Sequence, residues 1–143
     1  MREEDKVYAV IDTNVIVSAM LSSNLNSNPN IIVNAFNNRI IIPLYNEIIL
    51  SEYEDVLSRP CFKLNPEQIN IFISTLRRFG IKTEGSKTFD EHFPDPDDIV
   101  FYEVRMGVDG SFLVTGNIKH FPRKPFVVTP AEMVNILRER GLI

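Results

Sequence analysis

Short apolar runs alternate along this chain with longer segments in which apolar residues recur at helical spacing. The runs are rich in β-branched residues and apolar at nearly every position, which predicts strands that are buried on both faces. They occupy residues 7–11, 39–42, 111–115 and 125–129, and a short edge strand is expected at 81–83. The first run ends at Asp12, and Pro43 is expected to stop the second.

The segments between these runs carry helix start signals. We expect helices at 15–21, 29–37, 47–57, 66–79, 96–106 and 130–140, with start signals at Asn14, Pro29, Asn46, Asn65-Pro66, Asp95-Pro96 and Pro130. Strands that alternate with helices indicate parallel βαβ units. The sequence therefore predicts an α/β fold, a three-layer α/β/α sandwich with a central parallel sheet of Rossmann-like type. We expect a single domain over residues 1–143.

Composition narrows the class of protein. The chain has 143 residues, is 44% hydrophobic and has a mean hydropathy of −0.03, as is typical of a soluble globular domain. No apolar run approaches the roughly 20 residues that span a bilayer. Residues 1–6 are acidic, unlike a signal peptide, so we expect a cytoplasmic protein with no membrane partner. The single cysteine, Cys61, is expected to be a small buried hydrophobe.

Net charge limits the possible binding partners only weakly. The formal net charge is −4 and the sequence pI is about 5.2, which argues against binding long nucleic acid through bulk electrostatics. The same balance is expected of a protein that keeps several carboxylates together to hold a cation.

Polar side chains follow two of the predicted buried strands. Asp12 comes directly after the first, and Asn117 follows the strand at 111–115. The carboxyl ends of parallel strands meet at one edge of a sheet, where ligands bind. Asn117 taken alone is also an ordinary turn residue.

Glu52 is the acid of its helix that falls within the predicted apolar sector, between Ile48 and Val56, at about 100° per residue. A carboxylate carried toward the core must be paired, neutralised or bound to a metal, because burying it alone costs several kcal/mol. An ion pair with an arginine, or a position at the open end of the helix, is the alternative.

Asp98 has a strong structural alternative. With Asp95 as N-cap and Pro96 at the first helical position, Asp98 becomes the third residue of a helix, where an acid stabilises the helix start. Taken together, however, acids and amides at two strand ends, at a helix start and on a helix face form the oxygen-rich set that Mg²⁺ or Mn²⁺ requires.

These residues resemble the PIN-domain family. The resemblance rests on Asp12-Thr13-Asn14-Val15, Ser51-Glu52-Tyr53 with Val56-Leu57, Asp95-Pro96-Asp97-Asp98 and Leu113-Val114-Thr115-Gly116-Asn117, in this order and over nearly the whole chain. It is strongest toward members described as toxin components of type II toxin-antitoxin systems. The resemblance implies a PIN-like fold and a metal-dependent ribonuclease that hydrolyses phosphodiester bonds in RNA.

The resemblance also implies roles for individual residues. Asp12, Glu52 and Asp98 match the three catalytic, metal-binding acids, and Thr13, Asn14 and Thr115 line the site. The fourth family position, commonly Asp, is Asn117 here, so this residue would bind Mg²⁺ or Mn²⁺ more weakly or through water. A divalent ion in such a site activates water and offsets charge on the phosphate.

A basic segment follows Asn117 directly. It contains Lys119, His120, Arg123 and Lys124, and its place beside the expected metal site favours contact with RNA over a plain solvated loop. The resemblance further implies a cognate antitoxin protein as partner and a possible homodimer. The alternative function is a catalytically weak or inactive PIN-fold module that binds RNA or an antitoxin, with Asn117 as the cause.

Overall fold

The computed structural model describes residues 5–143. Residues 1–4, on which the expectation about a signal peptide partly rests, lie outside the described part. The strands are β1 (Val7–Ile11), β2 (Ile41–Tyr45), β3 (Ile81–Lys82), β4 (Phe112–Val114) and β5 (Val127–Val128). The helices are α1 (Thr13–Leu21), α2 (Asn28–Asn37), α3 (Glu47–Leu57), α4 (Pro66–Phe79), α5 (Ile99–Met106) and α6 (Pro130–Glu139), with 3-10 turns at Pro60–Phe62, Pro96–Asp98 and Ile118–His120.

The five strands form one parallel sheet in the order β3-β2-β1-β4-β5. β1 lies at the centre, where Val7 is aligned with Ile41 of β2 and Ile11 with Val114 of β4. All five residues of β2 are buried, and in β1 only Tyr8 is partly exposed, because helices cover both faces of the sheet. The α/β class and the central parallel sheet are therefore confirmed.

The second strand differs from its prediction at both ends. Arg39 adopts a left-handed backbone conformation, with φ of 58°, and its N–H donates to the carbonyl of Phe36 to close α2. The strand consequently begins at Ile41 and continues through Pro43. β3 pairs with β2 only at Leu44 and Tyr45, so Pro43 lies where β2 is still an edge on that side and a missing N–H is tolerated.

Helix starts were predicted well, with one error. Asn46, Asn65, Asp95 and Thr129 each accept a cap hydrogen bond with their side chains. Asn14 does not cap α1, because that helix begins one residue earlier, at Thr13, and Asp12 occupies the N-cap position. Asn14 is an exposed residue of the first turn.

Two side chains predicted to be buried are exposed. Ile48 in the first turn of α3 is 66% exposed, and the buried face of that helix instead runs through Ile49, Leu50, Tyr53 and Leu57. Glu52 therefore lies at the margin of the buried face rather than within it. Cys61 is exposed because it lies in the surface turn that joins α3 to α4.

No helix among residues 5–143 is long and apolar enough to cross a membrane.

Candidate metal and nuclease site

Asp12 lies where β1 ends and α1 begins. Its N–H donates to the carbonyl of Val114 (2.8 Å), which extends the β1–β4 pairing by one residue. The side chain is only 7% exposed, and its Oδ2 accepts a hydrogen bond from Oγ1 of Thr115 (2.8 Å). The sheet therefore fixes both the backbone and the carboxylate of this residue.

Thr115 connects Asp12 to the segment after β4. It is fully buried, and its Oγ1 accepts a hydrogen bond from the backbone N–H of Asn117 (3.0 Å) while donating to Asp12. The hydroxyl has a single orientation because it accepts from one group and donates to another. It therefore also determines which carboxylate lone pairs of Asp12 remain available to a ligand.

Glu52 reaches the same edge from α3. The hydroxyl of Thr13 donates a short hydrogen bond to its carboxylate, and the hydroxyl of the adjacent Tyr53 donates to the carbonyl of Ile11. These two bonds join α3 to the end of β1. Within residues 5–143 no arginine pairs with Glu52, so the ion-pair alternative is not what the structure shows.

Asp98 lies at the end of the 3-10 turn before α5. Asp98 is the third residue of the turn that Asp95 caps through the N–H of Asp97 (3.0 Å), as the structural alternative expected, but its own side chain makes no cap hydrogen bond. The Asp98 side chain is 14% exposed, and its buried Oδ2 has no hydrogen-bond partner within the described chain. A buried oxygen without a donor is unusual in proteins.

Burial is the largest cause that raises the pKa of each of these three acids. Burial raises the pKa of Asp98 to about 6, and the negative charges of Asp12, Asp95 and Glu52 contribute to that rise. Burial also raises the pKa of Glu52, which its hydrogen bond from Thr13 lowers and the charge of Asp12 raises. The pKa of Asp12 is raised by burial, against the hydrogen bond from Thr115. The charge of Asp12 thus destabilises the ionised forms of both Glu52 and Asp98, and the charge of Glu52 destabilises that of Asp98.

The donor set suits a hard divalent cation. Three carboxylates of raised pKa meet at the carboxyl end of β1 and β4, and one of them presents an orphaned oxygen. Among residues 5–143, however, no group of three or more Asp, Glu, His or Cys side chains is arranged so that it could hold a metal ion. An ion that drew these carboxylates together would remove their mutual repulsion and satisfy the Asp98 oxygen.

The basic segment is anchored by Phe121. This ring is buried against Phe93, with 6.3 Å between centroids, and the exposed side chains of Lys119 and Arg123 flank it. Lys124 is not free, because its Nζ lies 3.4 Å from a carboxylate oxygen of Glu91.

His120 contacts the acidic site. Its Nδ1 lies 3.4 Å from Oδ2 of Asp98, and the side-chain amide of Asn117 lies 3.0 Å from its Nε2. The residue therefore lies between the acidic site and the basic segment, and its contact with RNA stays a prediction. The sequence carried one signal for this contact, since Asn117 and His120 are three positions apart and such residues eclipse in a 3-10 turn.

A cleft lies next to residues that follow β1 and β4. It has a volume of about 290 Å³ and is lined by Asn14, Ser18, Gly116 and Asn117 together with two prolines. Neither this cleft nor a larger one of about 460 Å³, between α2 and the chain's carboxyl end, is lined by an acidic side chain.

Comparison with known proteins agrees with this geometry. The family model described as the PIN domain matches residues 8–119, which include Asp12, Glu52, Asp98 and Asn117. No curated protein and no solved structure matched the chain. Because the match covers well over half of the sequence, the chain belongs to the PIN domain family, whose members are generally nucleases and typically depend on divalent metal ions.

Proposed function

We propose that this chain is a Mg²⁺- or Mn²⁺-dependent endoribonuclease. The observation that carries the proposal is the meeting of Asp12, Glu52 and Asp98 at one sheet edge, each with a raised pKa. Asp12, Asp98 and Glu52 would hold the ion, with Asn117 as a weaker ligand or one acting through water. A bound ion supplies activated water and offsets charge on the phosphate.

The chain's own residues supply orientation and a base. The hydroxyls of Thr115 and Thr13 hold Asp12 and Glu52 in place, so little reorganisation is needed when substrate binds. A carboxylate of raised pKa is also a stronger base, and Glu52 is the one positioned on a separate helix. We assign Glu52 the role of accepting the proton of the attacking water.

RNA would be held by its phosphates. Lys119 and Arg123 are exposed beside Asn117, and cations at such positions contact the backbone without reading sequence. Lys124 is paired with Glu91, so it would hold the basic segment against the loop before Asp95. It would contact phosphate only at the edge of the basic segment.

A cleavage assay tests the chemistry. Purified protein and the Asp12→Asn variant would be incubated with a structured RNA and a single-stranded DNA, in Mn²⁺, Mg²⁺ or EDTA. Asp55→Asn is the matched control, because Asp55 is an exposed acid on α3. We expect RNA cleavage that requires metal and Asp12 but not Asp55. Equal cleavage by the Asp12→Asn variant would refute the site.

We further propose that the protein is the toxin of a toxin-antitoxin pair. The support is the motif resemblance, and the cognate antitoxin would be a protein that covers the acidic site. Expression of the wild-type chain should arrest growth of a bacterial host, whereas the Asp12→Asn variant should not. Co-expression of the neighbouring gene should restore growth, and arrest by both forms would contradict a nuclease toxin.

One observation favours a second candidate, a binding module with weak or no activity. Asn117 removes one negative charge from the site, and the acids of the described chain are not preassembled as a metal cage. Well-folded protein that binds Mn²⁺ and RNA but cleaves neither RNA nor DNA would establish this function instead.

A further inference from the structure

A ring nitrogen of His120 faces a carboxylate oxygen of Asp98 in the acidic site. His120 ends the 3-10 turn Ile118–His120, and its side chain is 45% exposed. Its Nδ1 is 3.4 Å from Oδ2 of Asp98, an oxygen that has no hydrogen-bond partner in the described chain. The two atoms are neighbours, yet they are too far apart for a normal hydrogen bond.

We propose that His120 is an imidazole ligand of the divalent ion, beside Asp98, and that it makes the site prefer Mn²⁺ to Mg²⁺. This inference rests on the proposed metal-dependent function and deepens it. It adds His120 to the donors of the site, and Asn117 would then also hold the ring of His120 in place.

The spacing of the two atoms fits shared coordination. Mg–O and Zn–N bonds are both about 2.1 Å long, so two donors in adjacent coordination positions stand about 3 Å apart. The separation of 3.4 Å between Nδ1 of His120 and Oδ2 of Asp98 is close to that value. An ion between them would satisfy the carboxylate oxygen and the ring nitrogen together.

Asn117 is placed to hold the ring. Its amide nitrogen lies 3.0 Å from Nε2 and 3.3 Å from Nδ1 of His120. This contact restricts rotation of the ring, so Nδ1 stays directed at Asp98. The turn brings the two side chains together because positions three apart eclipse in a 3-10 helix.

The preference for Mn²⁺ over Mg²⁺ follows from the chemistry of the donor atoms. Mg²⁺ binds almost entirely through oxygen and keeps several waters, whereas imidazole suits later transition metals and Mn²⁺ accepts both kinds of donor. A site with three carboxylates and one imidazole therefore gains more with Mn²⁺ than with Mg²⁺.

The test measures binding and does not require cleavage. Wild-type protein, His120→Ala and His120→Asp would be titrated with Mn²⁺ and with Mg²⁺ by calorimetry at pH 7.5. Pulsed electron paramagnetic resonance of bound Mn²⁺ would report whether a ¹⁴N nucleus is coordinated. His92→Ala is the matched control, because His92 is the other histidine of the chain and is exposed in the loop before Asp95.

We expect Mn²⁺ to show coupling to ¹⁴N in the wild type and in His92→Ala, and none in His120→Ala. His120→Ala should weaken Mn²⁺ binding at least about tenfold and Mg²⁺ binding much less. His120→Asp should bind Mg²⁺ more tightly than the wild type does. Thermal unfolding of each variant in EDTA establishes that it is folded.

The test distinguishes a wrong role for His120 from a wrong metal dependence of the protein. Mn²⁺ that binds the wild type without ¹⁴N coupling, or an equal loss of both ions in His120→Ala, overturns the role of His120 and leaves the metal-dependent function standing. Wild-type protein that binds neither ion overturns the proposed metal dependence itself, and this inference with it.

Discussion

The hydroxyl of Thr115 donates a 2.8 Å hydrogen bond to Oδ2 of Asp12, across 103 positions of sequence. It joins the ends of the two central strands, β1 and β4, at the point where the acids meet. Because Thr115 also accepts from the N–H of Asn117, one buried hydroxyl couples the central acid to the start of the His120 turn.

Thr115→Val should destabilise the protein. It leaves a buried carboxylate without its donor and the Asn117 N–H without its acceptor, a loss of about 1–3 kcal/mol in the free energy of unfolding. Thr115→Ser keeps the hydroxyl and loses one methyl group, about 1 kcal/mol or less. Urea unfolding of both variants measures the difference, and equal losses would show that the hydroxyl is unimportant.

Asn117→Asp should have opposite effects with and without metal. In EDTA the added charge joins three carboxylates that already repel one another, so the variant should melt below the wild type. With Mn²⁺ the same charge should tighten binding roughly tenfold, about 1.4 kcal/mol. Calorimetry that gives unchanged or weaker Mn²⁺ affinity would contradict our interpretation of this position.

Replacing Asp98 with asparagine should show the repulsion among the acids as a difference in how stability depends on pH. Asp98 has an ordinary pKa of 3.8 and a pKa of about 6 in the folded protein. Between these values it is protonated when folded and ionised when unfolded, so its contribution to stability is lost as pH rises through this window. Asparagine does not titrate.

The melting temperature of Asp98→Asn relative to the wild type should therefore increase from pH 4 to pH 6 in EDTA, and stay level above it. Differential scanning calorimetry over that range measures the difference. A constant or falling difference would show that Asp98 does not have the raised pKa that the site gives it.

Tyr53→Phe should loosen the placement of Glu52. The Tyr53 hydroxyl donates to the carbonyl of Ile11, while its ring packs against Phe72 and Phe101. Removing the hydroxyl should cost about 1 kcal/mol of stability and slow metal-dependent RNA cleavage. Reduced stability with an unchanged cleavage rate would identify Tyr53 as a packing residue only.

The sequence predicted those parts of the site that depend on local pattern. Asp12 and Asn117 follow buried strands, and parallel strands bring such positions to one edge regardless of the details of packing. Asp98 was ambiguous from sequence, since a helix-start acid and a site acid have the same spacing. Only the side-chain geometry, with no cap hydrogen bond, separates the two.

Features that depend on tertiary contacts were predicted less well. Helical periodicity placed Ile48 on the buried face, but that face begins at Ile49 and Leu50 in the same turn, and Ile48 is exposed. Pro43 signalled a strand end, yet its missing N–H falls where β2 has no partner on that side. His120 was grouped with nearby cations by its place in the chain, whereas folding places it against Asp98.

The order of the sheet has a consequence for synthesis. β1 is made first but is central, and its partner β4 emerges only after most of the chain has been translated. Contacts so distant in sequence form late, because the closing of a long loop must come first. Asp12 thus gains the hydroxyl of Thr115 only when the nascent protein is nearly complete. The candidate site therefore cannot be complete in a nascent chain that still lacks β4.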